Sequence, residues 1–391
     1  MDRLIACLLI ISFISGQIIK FPSQNQGLIL IDIALLLLAI LGFTKIRNLP
    51  SNIPIPYKLS VFFIFISFLS LFLTPLTLNS SEYLYSVFYT LRFAVTFFVS
   101  YLFFSNVIKL NRSFDNIFIY SGIIIAVIGI IQFLLLPDLG FLQNNLWDPH
   151  YFRSVSTFLD PNFLGAFLVL TLIFLFVKQY LFKSKFTKLL FLLIPYITLL
   201  LTFSRSSYLM FFISFTTISF IRKSKVIFLL TLVLFLGLLF GFWTYTQLIS
   251  KPRNIDRQAS ASFRLNTWQQ GLNIFQHAPI LGVGFNSYRY AVREYNLADE
   301  GFLNARGSTS NDSSLLFILA TTGIVGITTY LIFIGSLFKT SFVNSSKNEY
   351  ALVLFASLSG LMIHSLFNNS LFYPFILVWI VLILSRINRL F

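Results

Sequence analysis

The stretch "LLLTFSRSSYLMFF" (199–212) is apolar except at its centre, where Arg205 stands between Ser204 and Ser206. A guanidinium stays charged at physiological pH and is costly at membrane depth. Two readings are open. Arg205 can run its aliphatic stem out to the headgroups. Alternatively, with the serine hydroxyls and the start of the following helix, it can hold an anion, for which phosphate is the natural guest. Arg92, inside "YSVFYTLRFAVTFFVSYLFF" (85–104), is a second cation in an apolar run. It should face the bundle interior, either paired with Asp32 or helping to hold the same anion.

Three further segments carry polar groups that could act with these arginines. In "YFRSVSTFLDPNFLGAF" (151–167), Asp160, Pro161 and Asn162 read as a helix start, and Arg153 and Ser156 add donors nearby. In "SFRLNTWQQGLNIFQHAPILGVGFNSY" (262–288), Leu265, Trp268, Leu272 and Phe275 recur at helical spacing, with Arg264 one turn before Trp268. Such a helix would lie on the membrane surface or cap a bundle, until Pro279, Gly282 and Gly284 bend the chain. In "STSNDSSLLFILATTGIVGI" (308–327), Asp312 can cap the following helix or act as a general base. Gly323 and Gly326 fit close helix packing. Trp147, Tyr151, Trp268, Tyr288 and Tyr290 can stack on sugar faces or anchor at an interface.

The elements that must position these residues follow from composition. Of 391 residues, 57% are hydrophobic, 18% aromatic and only 10% charged, with a mean hydropathy of +0.84. That is the balance of an integral membrane protein. We expect an all-α polytopic bundle with about twelve spans: 3–19, 27–43, 57–74, 84–105, 115–136, 161–180, 187–203, 206–221, 225–247, 313–338, 349–367 and 371–387. The first reads as a retained helix, not a cleaved signal peptide. Cations gather in alternate connections: Lys45, Arg47 and Lys58; Lys109 and Arg112; Lys178, Lys183, Lys185 and Lys188; Arg222, Lys223 and Lys225; Lys339 and Lys347; then Arg386 and Arg389. By the positive-inside rule both termini are cytoplasmic, and the net charge of +15 is an orientation signal, with no nucleic-acid partner implied. Two long connections then fall outside, 137–160 and 248–312, within a single integral domain over 1–391.

Several chemistries are disfavoured. Cys7 is alone and His150, His277 and His364 are far apart, so neither a disulfide framework nor a zinc site is expected. There is no Walker A pattern, no dinucleotide fingerprint and no Asp-x-Asp pair, and no cofactor is implied.

Taken in order, "RSVSTFLDPNFLGA" (153–166), "TFSRSS" (202–207), "RLNTW" (264–268), "APILGVGFNSY" (278–288) and "NDSSLLFILATTGIVG" (311–326) resemble the O-antigen ligase and polymerase superfamily of bacterial membrane glycosyltransferases. The resemblance covers roughly residues 60 to 390. It implies transfer of a glycan from undecaprenyl diphosphate to a glycan, lipid or protein acceptor at the outer face of the cytoplasmic membrane, by a metal-independent, inverting reaction among membrane lipids. Arg205 and Arg264 match the family's arginines at the diphosphate; Arg92, Arg153, Ser204 and Ser206 would support them. Asp312 stands where ligase-like members carry histidine, and Thr321 replaces a family glutamate. That departure favours polymerase over ligase and makes Asp312 the candidate base. Trp268, Tyr288, Asp160 and Asn162 are the candidate sugar or acceptor contacts. A different class of function, a membrane transporter or lipid-linked glycan flippase, suits the number of spans. Against it, no repeated half with interrupted helices is visible.

Overall fold

Each of the twelve apolar runs contains a helix, the conformation that satisfies backbone groups within one segment when water is excluded. The computed structural model describes residues 2–21, 27–46, 52–110, 113–145, 147–182, 184–252, 259–304 and 306–387. The orientation cations Arg47, Arg112, Lys183 and Arg389 lie outside the described residues. In chain order the helices are α1 (Asp2–Ser15), α2 (Leu30–Phe43), α3 (Ile55–Phe72), α4 (Ser80–Phe104), α5 (Phe114–Leu135), α6 (Pro161–Val177), α7 (Lys185–Thr202) and α8 (Arg205–Ile221). There follow α9 (Lys225–Tyr245), α10 (Ala259–His277), α11 (Tyr288–Glu294), α12 (Glu300–Asn304), α13 (Ser314–Asn344), α14 (Glu349–His364) and α15 (Pro374–Leu384). A short antiparallel pair, β1 (Lys20–Phe21) with β2 (Leu28–Ile29), joins α1 to α2.

Six described helices are long and apolar enough to cross a membrane: α3, α4, α5, α7, α9 with its continuation to Ser250, and α13. The expected twelve spans are therefore corrected in length. The run at 27–43 opens as a strand, and the run at 371–387 yields only the 11 residues of α15, about 16 Å of helix. The chain is a multi-pass membrane protein by these helices. Its interior is built from α6 and α15, apolar on every face: every residue from Leu164 to Leu175 and from Phe375 to Leu384 is buried. The opposite case is α9, which buries only Thr231, Leu238 and Tyr245 and turns Leu229, Val233, Leu236, Phe240 and Trp243 outward. An exposed stripe of that kind is the surface that lipid would cover.

The long connection 248–312 is tied into the bundle by backbone. Inside α13, Gly323 has φ +62° and ψ −164°, which breaks the helix. Four hydrogen bonds fill the break: Val283 N–H to Ala320 O (3.2 Å), Gly284 N–H to Thr321 O (2.9 Å), Ile324 N–H to Pro279 O (2.9 Å) and Val325 N–H to Ile280 O (3.2 Å). Buried backbone groups freed by a kink need such partners. The pairing demands close approach: a Cβ on Gly282 (φ +70°) would lie 2.3 Å from the Thr321 carbonyl carbon, and one on Gly323 would lie 2.3 Å from Ile280 O. The role of Gly323 is thus a helix break, not the helix–helix packing its spacing suggested. A further anchor of the loop is Arg293, whose Nη1 donates to Glu82 Oε1 at 2.5 Å.

Gly282→Ala should lower stability by roughly 1–3 kcal/mol through its positive φ alone, and by more through the clash. Gly335→Ala, with no atom within 4 Å, should be neutral or stabilising. Thermal unfolding of the purified protein, with protease access to 248–312, distinguishes them.

Candidate functional site

The caps of α6 and α13 decide which polar side chains remain available. Asp160 caps α6, its Oδ1 accepting from Asn162 N–H (2.6 Å) and Phe163 N–H (2.9 Å). The cap of α13 is Ser313, whose hydroxyl accepts from Leu316 N–H, while Asn311 Oδ1 accepts from Ser313 N–H at 2.8 Å. Asp312 is therefore not the cap. Its carboxylate accepts a long bond of 3.5 Å from the Thr267 hydroxyl and feels the charge of Arg264. Buried Asn311 fixes the backbone here by donating to Thr267 O and to the Tyr288 hydroxyl.

A cavity of about 350 Å³ opens between α4, the start of α6, α10 and the segment before α13. Its wall brings together Arg92, Asp160, Asn162, Arg264 and Asp312 of the expected site residues. Burial pushes the Asp312 carboxyl up to about 6; Asp160 and Asp148 push the same way, against the opposing pull of Arg264 and Thr267. Burial also lowers the Arg264 pKa, reinforced by Arg205 and opposed by Asp312 and Asp160. For Asp160 burial wins over its two backbone bonds and over Arg153 and Arg264, and its pKa is raised. The site is a partly desolvated mixture of guanidinium and carboxylate groups.

Arg205 is exposed at the start of α8, its guanidinium 5.7 Å from the Phe242 ring, and is off the cavity wall yet close enough to act on Arg264. Arg92 is paired: its Nη2 donates to Asp32 Oδ2 at 2.6 Å, with both side chains largely buried. The structural partner considered for it is present, and it still borders the cavity. Arg153 spans to the end of α7, donating from Nε to Thr202 O at 2.8 Å, a cap for the carbonyls left at a helix C-terminus. The serines are not on the wall. Ser204 donates to Asn162 Oδ1 (2.8 Å) and caps α8; Ser206 accepts from Asn368 Nδ2 (2.9 Å). Tyr288 is fully buried, with its hydroxyl donating to Thr267 O, and Trp268 stacks on Phe367. Neither borders the cavity, because both are used to fasten α10.

Sequence reasoning missed Lys20, Asp148, His150 and Arg289, all on the wall. Lys20 lies 4.8 Å over the Trp147 ring. Asp148 and His150 sit in a segment without periodicity, so no pattern aimed them. Among the described residues no group of three or more His, Cys, Asp or Glu side chains converges as a metal site.

Replacing Ser313 by Ala should cost about 1 kcal/mol as a lost cap. Asp312→Asn should behave oppositely. A carboxyl raised in the fold loses stability as pH climbs from its ordinary range to about 6, so at neutral pH the amide should be at least as stable. Unfolding of the two variants across pH 4–8 would check both, about two units either side of the shifted value.

Residues 189–331 match the family model described as O-antigen ligase. No curated protein matches the chain. The matched span starts within α7 and ends within α13, so it contains Arg205, Arg264, Asp312 and the three positive-φ glycines of the helix break, Gly282, Gly284 and Gly323. Over this segment the chain is similar to the O-antigen ligase family, which supports its resemblance to the O-antigen ligase and polymerase superfamily.

Proposed function

We propose that the protein is a membrane glycosyltransferase that lengthens or transfers glycans carried on undecaprenyl diphosphate, with polymerase favoured over ligase. The observation that carries this reading is the freeing of Asp312 by the Ser313 cap, which sets a carboxylate of raised pKa with Arg264 on one cavity wall. The acceptor hydroxyl attacks the anomeric carbon of the donor sugar, and its proton passes to Asp312. The bond from that carbon to the diphosphate oxygen breaks, its electron pair leaving with the lipid diphosphate. Arg264, with Arg205 at the rim, stabilises the charge growing on the leaving group, and a fixed guanidinium does so best where water is sparse. The hydroxyl attacks the face of the anomeric carbon opposite the departing diphosphate in a single displacement, so the configuration inverts. In this reading the cavity faces the outer side of a bacterial cytoplasmic membrane, with both chain termini inside, as the alternation of cations implies.

Arg264→Ala and Arg205→Ala should each remove long glycan chains, with rates down about 10²–10³-fold and membrane levels unchanged. Unaltered chain-length ladders in both would end the proposal. The rate should rise with pH through about 6 as Asp312 loses its proton, then level off. Asp312→Asn should lack that acidic limb, measured with purified protein and a synthetic lipid-diphosphate glycan. Movement of that lipid between leaflets without any lengthening would favour the transporter reading.

A further inference from the structure

α10 presents three faces. Thr267, Gly271 and Ile274 are buried on the side that meets α13. Leu265 and Leu272 are exposed, an apolar stripe suited to a membrane surface. The third face carries Asn266, Gln269, Gln270 and Asn273, at successive spacings of three, one and three residues that keep them on one side of a helix. These four amides line a second cavity, of about 360 Å³, closed on its far side by Leu297, Ala298, Asp299 and Phe302. Phe263 borders both this cavity and the one that holds Arg264 and Asp312. Its ring lies 5.6 Å from that of Phe302.

We propose that this groove binds an uncharged stretch of glycan that extends out of the transfer cavity past Phe263. The inference rests on the glycan-transfer reading for the identity of what leaves that cavity, and on the groove's own chemistry for the ligand class. An amide offers donors and acceptors side by side, as a sugar hydroxyl does. Gln270 shows the demand: its Nε2 donates to Leu297 O at 3.1 Å, while its Oε1 is buried with no hydrogen-bond partner. Leaving such an acceptor unmet is costly, and a turn of the Gln270 amide toward the groove would let it accept from a sugar hydroxyl there. Phe263 and Phe302 give apolar faces for sugar rings at either side. Among the described lining residues Asp299 is the one that carries charge, and its Oδ1 already accepts from Phe302 N–H at 2.7 Å. The described lining holds no arginine or lysine, so a uronate or phosphate-bearing segment finds no counter-charge among those residues. Their chemistry suits neutral sugars.

The test uses full-length protein in nanodiscs and, as the probe, the producing cell's own surface polysaccharide released by mild acid and fractionated by charge. Binding is read by saturation-transfer NMR and titration. The neutral fraction should bind wild-type protein and Asp312→Asn alike, which separates this groove from the catalytic reading. Asn266→Ala with Asn273→Ala, both exposed, should weaken that binding about ten-fold, the loss of two amide contacts. Gln270→Leu should do the same independently. In cells both variants should shorten the chain-length distribution while retaining the first transfer. Equal binding by wild type and both variants, preference for the acidic fraction, or no binding of the neutral fraction would overturn the proposal. If Arg264→Ala leaves the ladders normal while the neutral fraction still binds in an amide-dependent way, the transfer reading fails and the groove stands.

Discussion

A guanidinium and a carboxylate coupled through their charges across one partly desolvated cavity are the interaction on which the site depends. Arg264 belongs to α10 and Asp312 to the segment before α13, so their meeting is a product of how those helices pack. Each charge limits the other's cost: Arg264 restrains a carboxyl that burial drives toward neutrality, and Asp312 restrains a guanidinium that burial and Arg205 make less basic. Neither is neutralised by a short ion pair, in contrast to Arg92 and Asp32 at 2.6 Å. The distinction separates a pair that builds the bundle from a pair left able to respond to a ligand.

The buried polar residues around the cavity hold its charged groups in place. Asn162, Ser204, Ser206, Ser207, His364 and Asn368 form one hydrogen-bonded set that joins the starts of α6 and α8 to the end of α14. Asn311, Thr267 and Tyr288 do the same between α10 and α13. Hydrogen bonds are electrostatically stronger in a medium of low dielectric, and side-chain networks there hold a specific geometry. Ser204 and Ser206 are accordingly best understood as fixing the hairpin that presents Arg205.

Much of this was legible in the sequence. Hydropathy located the twelve helices that lie in apolar runs, because an apolar segment without water has few other ways to pair its backbone; α10 was legible from its periodicity, and the short α11 and α12 from neither. The lengths were less legible, since caps and turns such as Pro374 and the β1–β2 ribbon cut apolar runs without changing their hydropathy. The arginines and Asp312 stood out because charge in an apolar context is conspicuous. Whether Asp312 capped its helix could not be read from "NDSS", where any of four side chains suits the position; the bond from Ser313 to Leu316 decides it. Lys20 and Asp148 reach the wall by tertiary folding alone, which no local pattern encodes. The amides of α10 were visible at helical spacing, but amides on an exposed helix are ordinary until a facing surface gives them something to enclose.

The break at Gly323 has a consequence for motion. Residues 279–284 are stitched to α13 by four backbone bonds, and parting them would orphan all of those groups together. At about 1–3 kcal/mol for each unmet group, such a separation is prohibitive as a step in every turnover. Phe285 and Asn286, which border the cavity directly after this segment, are therefore carried on a stretch of chain that moves only with α13.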